Sequence, residues 1–431
     1  IEVLLQDQKI QDITINSPVG GSPIFIVHQD YDECVTNIIP SLEDGEGWAS
    51  KFRLISGRPL DEANPVLDTE LLLKHARARV AVITRPLSPT GLAFALRRHR
   101  DEPWTYPLFI KNKMMNPLAA GLMSFLVDGN RTLLFAGTRS SGKTSLLGST
   151  LIEIMRKHRI IAIEDTQELP IEALRKMGYN VQAMKVRSAL THTSSELGAD
   201  EGIRTSLRLG DSSLIVGEIR SLEAQALYEA MRIGALANVV AGTVHGADPY
   251  SVYDRVVNDL KVPKTSFKAT DIIVVSNPVR SADGLHKWRR VLSITEVRKH
   301  WEEDPLKESG FIDLMKYDTK EDTLKPTQDL INGDSEVLKA VASNIKEFAG
   351  NWDAIWENIL LRARIKEALV KYALKLKQNY LLEANFIVQS NDIFHQITDK
   401  IRDEVGYIDT KRIYFEWEDW LKRTIKEKQL K

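Results

Sequence analysis

The chain has 431 residues, 27% of them charged and 43% hydrophobic, which suits two or three soluble globular domains with a large core. Lys and Arg number 58 against 59 Asp and Glu, a net charge of −1. That balance argues against a general nucleic-acid coat but leaves room for a local basic channel. The single cysteine, Cys34, excludes a disulfide framework and a four-cysteine zinc module within the chain, and it suits a reducing compartment. No apolar run reaches the roughly 18 residues a membrane span needs. The longest, 114–127, is interrupted by Asn116 and Pro117. The first residue is Ile1 rather than Met, so sequence before it is expected.

Residues 1–107 read as an α+β domain. Alternation over 10–16 predicts a strand, with 23–27 as its hairpin partner. Residues 80–84 and 91–96 predict a second hairpin. A basic cluster follows, Arg97, Arg98, His99 and Arg100, with Arg77 and Arg79 about twenty residues earlier. Charge runs are by default solvated faces; the sharper reading is that some of these arginines reach a bound nucleotide. Residues 101–107, with Pro103 and Pro107, read as a connector.

Residues 108–300 alternate strand and helix, the pattern of a parallel sheet with crossover helices. Apolar strands are expected at 133–136, 160–163, 214–216 and 239–244. The first leads into Gly137-Thr138-Arg139-Ser140-Ser141-Gly142-Lys143-Thr144, then a helix-forming segment to about 157. This fits G-x-x-x-x-G-K-[ST] at every fixed position, between a strand and a helix. The glycines let backbone N–H groups curl around a phosphate, and the helix N-terminus favours the same anion. Lys143 suits the β- and γ-phosphates of ATP, and the Thr144 hydroxyl suits a Mg²⁺ shell.

Each later strand also ends in polar residues, and in open α/β sheets ligands sit beyond the carboxyl ends of strands. The second is followed by Glu164-Asp165-Thr166-Gln167-Glu168. Glu164 is the candidate base for an attacking water; the alternative is a helix cap. The third is followed by Gly217-Glu218-Ile219-Arg220. Glu218 is the candidate holder of Mg²⁺, directly or through water; the alternative is a surface pair with Arg220. Glu164 and Glu218 can exchange these roles. The fourth runs into Gly242-Thr243-Val244-His245-Gly246, where His245 either senses the γ-phosphate, transmits its loss, or is structural.

Strand character is expected to fade after 271–275. Residues 301–431 read as a helical region, with helical spacing over 335–348, 352–382 and 391–405. Trp352, Trp356, Trp417 and Trp420 read as core contacts at helical spacing.

With these motifs in hand, the chain resembles the secretion ATPase superfamily of type II secretion, type IV pilus and archaellum motors. The resemblance rests on the phosphate loop, Ile163-Glu-Asp-Thr-Gln-Glu168, Ile215-Val-Gly-Glu-Ile-Arg220 and Gly242-Thr-Val-His-Gly246, in that order and spacing. It covers the first three hundred residues. The segments at 254–260 and 266–271 look closest to the archaeal branch. Two departures point away from the bacterial members: no tetracysteine zinc insertion is possible, and Gly210-Asp211 stands where many have Pro-Asp.

The resemblance implies a RecA-like ATPase domain, a homo-hexameric ring, and Mg²⁺-ATP held between domains. It implies phosphate-contacting arginines from the N-terminal domain: Arg79 and Arg97 match best, then Arg98 and Arg100. Candidate catalytic residues are thus Lys143, Glu164, Glu218, His245, Arg79 and Arg97. Candidate nucleotide contacts are residues 137–144 with Ser145, Arg98, Arg100 and Arg220, and candidate metal ligands are Thr144, Glu218 and Glu164. The implied output is mechanical work on a polytopic membrane platform protein, from the cytoplasmic face of the membrane. Two rival readings remain: a RecA-like nucleic-acid translocase, which needs a basic track with stacking aromatics, and a nucleotide-gated scaffold without turnover.

Overall fold

The computed structural model describes all residues except 101, 187–196, 222, 233–237, 285, 430 and 431. Asp101, the first residue of the expected connector, is therefore outside the described set. The chain divides into two compact units, Ile1–Asp101 with Thr166–Glu168, and Glu102–Asp165 with Leu169–Lys431.

The first unit holds a six-stranded sheet. Its elements are β1 (Ile10–Ile15), β2 (Phe25–His28), β3 (Asp32–Val35), α1 (Leu42–Ser56), β4 (Val66–Leu73), β5 (Ala76–Ile83) and β6 (Ala93–His99). The order is β3-β2-β1-β6-β5-β4, antiparallel throughout. Both expected hairpin pairings, β1 with β2 and β5 with β6, are present. Alternation puts Ala76, Ala78, Val80 and Val82 of β5 into the core, with Phe94 and Leu96 of β6. Ala49 and Phe52 of α1 complete that core. α1 starts at a capping box, Ser41 with Asp44, and stops at Gly57, whose φ of 65° suits glycine.

The second unit is built on a nine-stranded sheet. Its elements are α2 (Pro117–Asp128), β7 (Thr132–Gly137), α3 (Lys143–Glu153), β8 (Ile160–Glu164), β9 (Val181–Lys185), β10 (Ser213–Val216), α4 (Glu223–Arg232), β11 (Val240–His245), β12 (Ile272–Arg280), β13 (Lys287–Val297), β14 (Phe311–Asp318), β15 (Thr323–Pro326), α5 (Trp352–Leu376), α6 (Ala384–Val405) and α7 (Thr410–Gln429). The order is β15-β14-β13-β12-β7-β11-β10-β8-β9. From β12 to β9 the neighbours are parallel; β13 to β15 extend the sheet antiparallel. β11 separates β7, which leads into the phosphate loop, from β10, which leads to Glu218. This is the RecA-like order.

β7, β8 and β10 are buried at every residue, as expected of strands covered on both faces. Leu133 and Phe135 join one core, with α2, α3 and the C-terminal helices; Leu134 and Ala136 join the other, with α4.

The expected fading of strand character after 271–275 does not occur. β12 runs on to Arg280, and Asp283-Gly284, with Gly284 at φ 72°, turns the chain into β13. A turn signal between two β-branched runs makes a hairpin, and β14 and β15 follow it. Beyond Ile331 the region is helical. α5 lies close against α2: a Cβ on Gly121 would stand 2.6 Å from Ile359 O and Ala363 N. Trp417 is buried, and Trp352, Trp356 and Trp420 pack partly buried on the same core.

Candidate active site

Because β7, β8, β10 and β11 are parallel and adjacent, their carboxyl ends share one edge. Four sequence motifs meet there. The phosphate loop leaves β7 at Gly137 (φ 155°), where a Cβ would fall 2.0 Å from Ser276 O, a clash no side chain survives. Ser140 (φ 60°) and Gly142 (φ 94°) are left-handed, which lets the loop curl before α3 begins at Lys143. The Lys143 side chain is drawn into that curl: Nζ donates to Gly137 O at 3.1 Å and Thr138 O at 2.8 Å. Arg139 is exposed, Ser141 is buried, and Thr144 and Ser145 are half-buried in the first turn of α3.

Glu164 closes β8 and is 4% exposed. Its Oε1 accepts the Leu169 N–H at 3.0 Å. Its side chain lies across Gly217, where a Cβ would come within 2.8 Å of Glu164 Cγ. The glycine before Glu218 is thus the space that Glu164 occupies. Glu218 follows β10. Arg220 donates to Glu218 Oε2 and, at 3.1 Å, to Asp165 Oδ2, so one guanidinium ties the end of β8 to the end of β10. Glu218 is paired with Arg220, but at the strand edge and half-buried rather than on an open surface.

His245 ends β11, in register with Gly137 of β7. Its Nε2 lies 3.0 Å from Glu218 Oε1. Glu218 Oε1 is enclosed and accepts no hydrogen bond among the described residues. Burial works to raise the Glu218 pKa; the Arg220 hydrogen bond and charge, helped by His245 and Lys143, outweigh it and hold the carboxyl below its usual value. Burial and then the Lys143 charge lower the His245 pKa, with Glu218 pulling the other way. Thr243 Oγ1 donates to Gly217 O at 2.6 Å, and Ile219 N–H donates to Thr243 O at 2.8 Å. These bonds lock the Glu218 turn to β11.

The arginines form a separate pattern within the first unit. Arg79 stands opposite Arg97 across β5 and β6, and Arg77 opposite His99. Like charges directly opposite are unfavourable in a ladder. Asp68 neutralises Arg79 at 2.7 Å, and Asp12 neutralises Arg97 at 2.8 Å. Arg98 points to the other face, buried, donating to Leu5 O at 2.8 Å and His99 O at 3.0 Å; strand alternation separates it from Arg97. Arg100 follows the last residue of β6.

Sequence reasoning missed Ser276, Asn277 and Arg289. Thr138 N–H donates to Asn277 Oδ1 at 2.8 Å, and Arg289 Nε donates to Ser140 O at 2.9 Å. Ser276 Oγ is 3.4 Å from both Ala136 O and Ser141 Oγ. The Ser-Asn-Pro run that interrupts an apolar strand was the available signal.

A family model described as type II/IV secretion system protein matches residues 24–299. Among curated proteins, the chain is similar to the uncharacterized protein MJ0900 of Methanocaldococcus jannaschii, 26% identical over 308 residues, covering 70% of this chain and 52% of that one. It is similar to the conjugal transfer protein TrbB of Rhizobium radiobacter, 24% identical over 198 residues, covering 45% and 56%. The first curated relatives are therefore spanned over about half of their length. Among solved structures, the Legionella pneumophila ATPase DotB superposes at a TM-score of 0.46 with 16% identity, covering 86% of this chain and 94% of that one. The family match covers more than half of the chain and runs from the first sheet through the phosphate loop, both strand-end glutamates and His245: this chain belongs to the type II/IV secretion system protein family.

Proposed function

We propose that the protein is an ATP hydrolase whose domain motions drive assembly of a secretion, pilus or archaellum machine. The observation that carries this reading is the meeting of Lys143, Glu164, Glu218 and His245 at the carboxyl edge of four adjacent parallel strands. In this reading the phosphate-loop N–H groups and Lys143 bind the phosphates of ATP. Glu164, buried and held by Leu169 N–H, orients the attacking water and accepts its proton. Arg220 fixes Glu218, and His245, against both Glu218 and the phosphate-loop strand, transmits the state of the γ-phosphate.

Thr144 and Glu218 are the residues that would hold Mg²⁺, with Glu164 nearby. The enclosed Glu218 Oε1 without a hydrogen-bond donor fits a cation, and hydroxyl and carboxylate oxygens suit a hard one. Bound Mg²⁺ would supply charge neutralisation at the phosphate oxygens.

Arg79 and Arg97, like charges side by side, are the candidates to approach the phosphates from the first unit. Their release after hydrolysis would separate the domains. The working form proposed is a homo-hexamer at the cytoplasmic face of a membrane, acting on a polytopic membrane partner. Among the described residues no helix is long and apolar enough to cross a membrane. The conjugal-transfer name of a relative supports a secretion context. Co-purification from native membranes tests the partner: recovery of a polytopic membrane protein supports the reading, and recovery of nucleic acid alone contradicts it.

A further inference from the structure

We infer that Asn277 is a positioning residue that couples the phosphate loop to the His245 loop, so that nucleotide bound in one is felt in the other. This rests on the nucleotide-binding reading above. The Asn277 carboxamide spans two segments far apart in sequence. Its Oδ1 accepts the Thr138 N–H at 2.8 Å, and its Nδ2 donates to Ala247 O at 3.1 Å. An acceptor on one side and a donor on the other fix which way the amide faces. Thr138 is the first residue after Gly137 in the phosphate loop; Ala247 lies two residues after His245.

The strand is shaped to put Asn277 there. The parallel ladder between β12 and β7 ends at Val275, opposite Ala136. At the next step the β12–β13 ladder shifts register, passing over Leu292 between Ser293 and Val291. The extra residue belongs to β13, and such a bulge increases the local twist of the strand pair that carries Asn277. Ser276 then seals the base of the loop, against Ala136 O and Ser141 Oγ. Asn277 is carried past the ladder to bridge the two loops. His245 in turn faces Glu218 at 3.0 Å. The chain of contacts thus runs from the phosphate loop through Asn277 to Ala247, and along two residues to the histidine beside the proposed metal ligand.

Two variants separate the two bonds. Asn277→Ala loses both. Asn277→Asp keeps an acceptor for Thr138 N–H but loses the donor to Ala247 O. Hydrogen exchange of peptides covering 137–145 and 245–252 is followed with and without MgADP, alongside steady-state ATP turnover. In the parent, MgADP is expected to protect both segments. In both variants protection of 245–252 is expected to fall away while protection of 137–145 survives in Asn277→Asp. Turnover should show kcat lowered roughly tenfold in both, the scale of one lost hydrogen bond, with KM raised in Asn277→Ala only. Folded variants that protect both segments and keep the parental kcat and KM would overturn the inference while leaving the proposed function intact. Failure of the parent to bind MgADP or ATP would sink both.

Discussion

The Glu164 side chain rests across the bare Cα of Gly217, with a Cβ at that position falling 2.8 Å from Glu164 Cγ. A methyl group there must displace a buried carboxylate or the backbone beneath it. Gly217→Ala is therefore expected to lower ATP turnover at least tenfold while leaving nucleotide affinity within about threefold of the parent, since a small misplacement of a catalytic group is costly. Fluorescent-nucleotide titration beside steady-state phosphate release checks this. Parental turnover in that variant would mean Glu164 position is unimportant.

Arg97 and Arg98 are neighbours with opposite expectations. The Arg97 pair with Asp12 is well exposed, 43% and 31%, so its worth is about 0–1 kcal/mol. Arg97→Ala should reduce turnover with little change in thermal stability. Arg98 is buried and donates to Leu5 O and His99 O. Arg98→Ala should cost roughly 1–3 kcal/mol by leaving buried carbonyls unpaired, measurable by urea unfolding. The reverse pattern would remove Arg97 from the nucleotide reading.

A buried ion pair joins the C-terminal helices to the far end of the phosphate-loop helix. Lys366 Nζ of α5 lies 2.7 and 2.8 Å from the two oxygens of Glu153, the last residue of α3, and 2.8 Å from Asn391 Oδ1. The pair is 3% and 2% exposed. Removing one partner, as in Lys366→Met, should cost roughly 3–5 kcal/mol, whereas Lys366→Met with Glu153→Leu should recover most of it. Chemical denaturation of the single and double variants measures the difference. Equal losses in single and double variants would show that shape rather than charge matters there.

His99 gives a pH signature. Burial, then the charges of Arg77, Arg97, Arg79 and Arg98, pull its pKa from 6.5 to about 4. Its Nε2 is enclosed without a hydrogen-bond partner among the described residues. Between these values the unfolded chain binds a proton that the folded chain refuses, so stability falls as pH drops from 6.5 toward 4 and is fully present above 6.5. Thermal melts over that range should show the fall in the parent, and a shallower one in His99→Gln. Parallel profiles would locate the acid sensitivity elsewhere.

Much of this architecture was legible because it is local. The phosphate loop announces itself in eight residues, and the apolar strands at 133–136, 160–163, 214–216 and 239–244 are long enough to name without a partner. Parallel neighbours then bring Glu164, Glu218 and His245 to one edge. The extension of the sheet through β13, β14 and β15 was not read, since Lys, Arg and Asp in those strands hide a pattern that only hairpin pairing reveals. The Arg98 environment needed strand register, which turns a run of basic residues into two faces. Asn277 was invisible for a different reason: its partner Thr138 is 139 positions away, and a lone Asn before Pro278 signals a turn rather than a clamp.

The central claim is that Glu164 activates water in a site where Lys143 binds the phosphates. Its most direct measurement pairs ATP binding with Mg²⁺-dependent phosphate release in the parent, Lys143→Ala and Glu164→Gln. The account predicts release by the parent, loss of binding in Lys143→Ala, and parental binding with turnover reduced at least a hundredfold, the scale of lost general-base catalysis, in Glu164→Gln. Phosphate release by Glu164→Gln at the parental rate would contradict it.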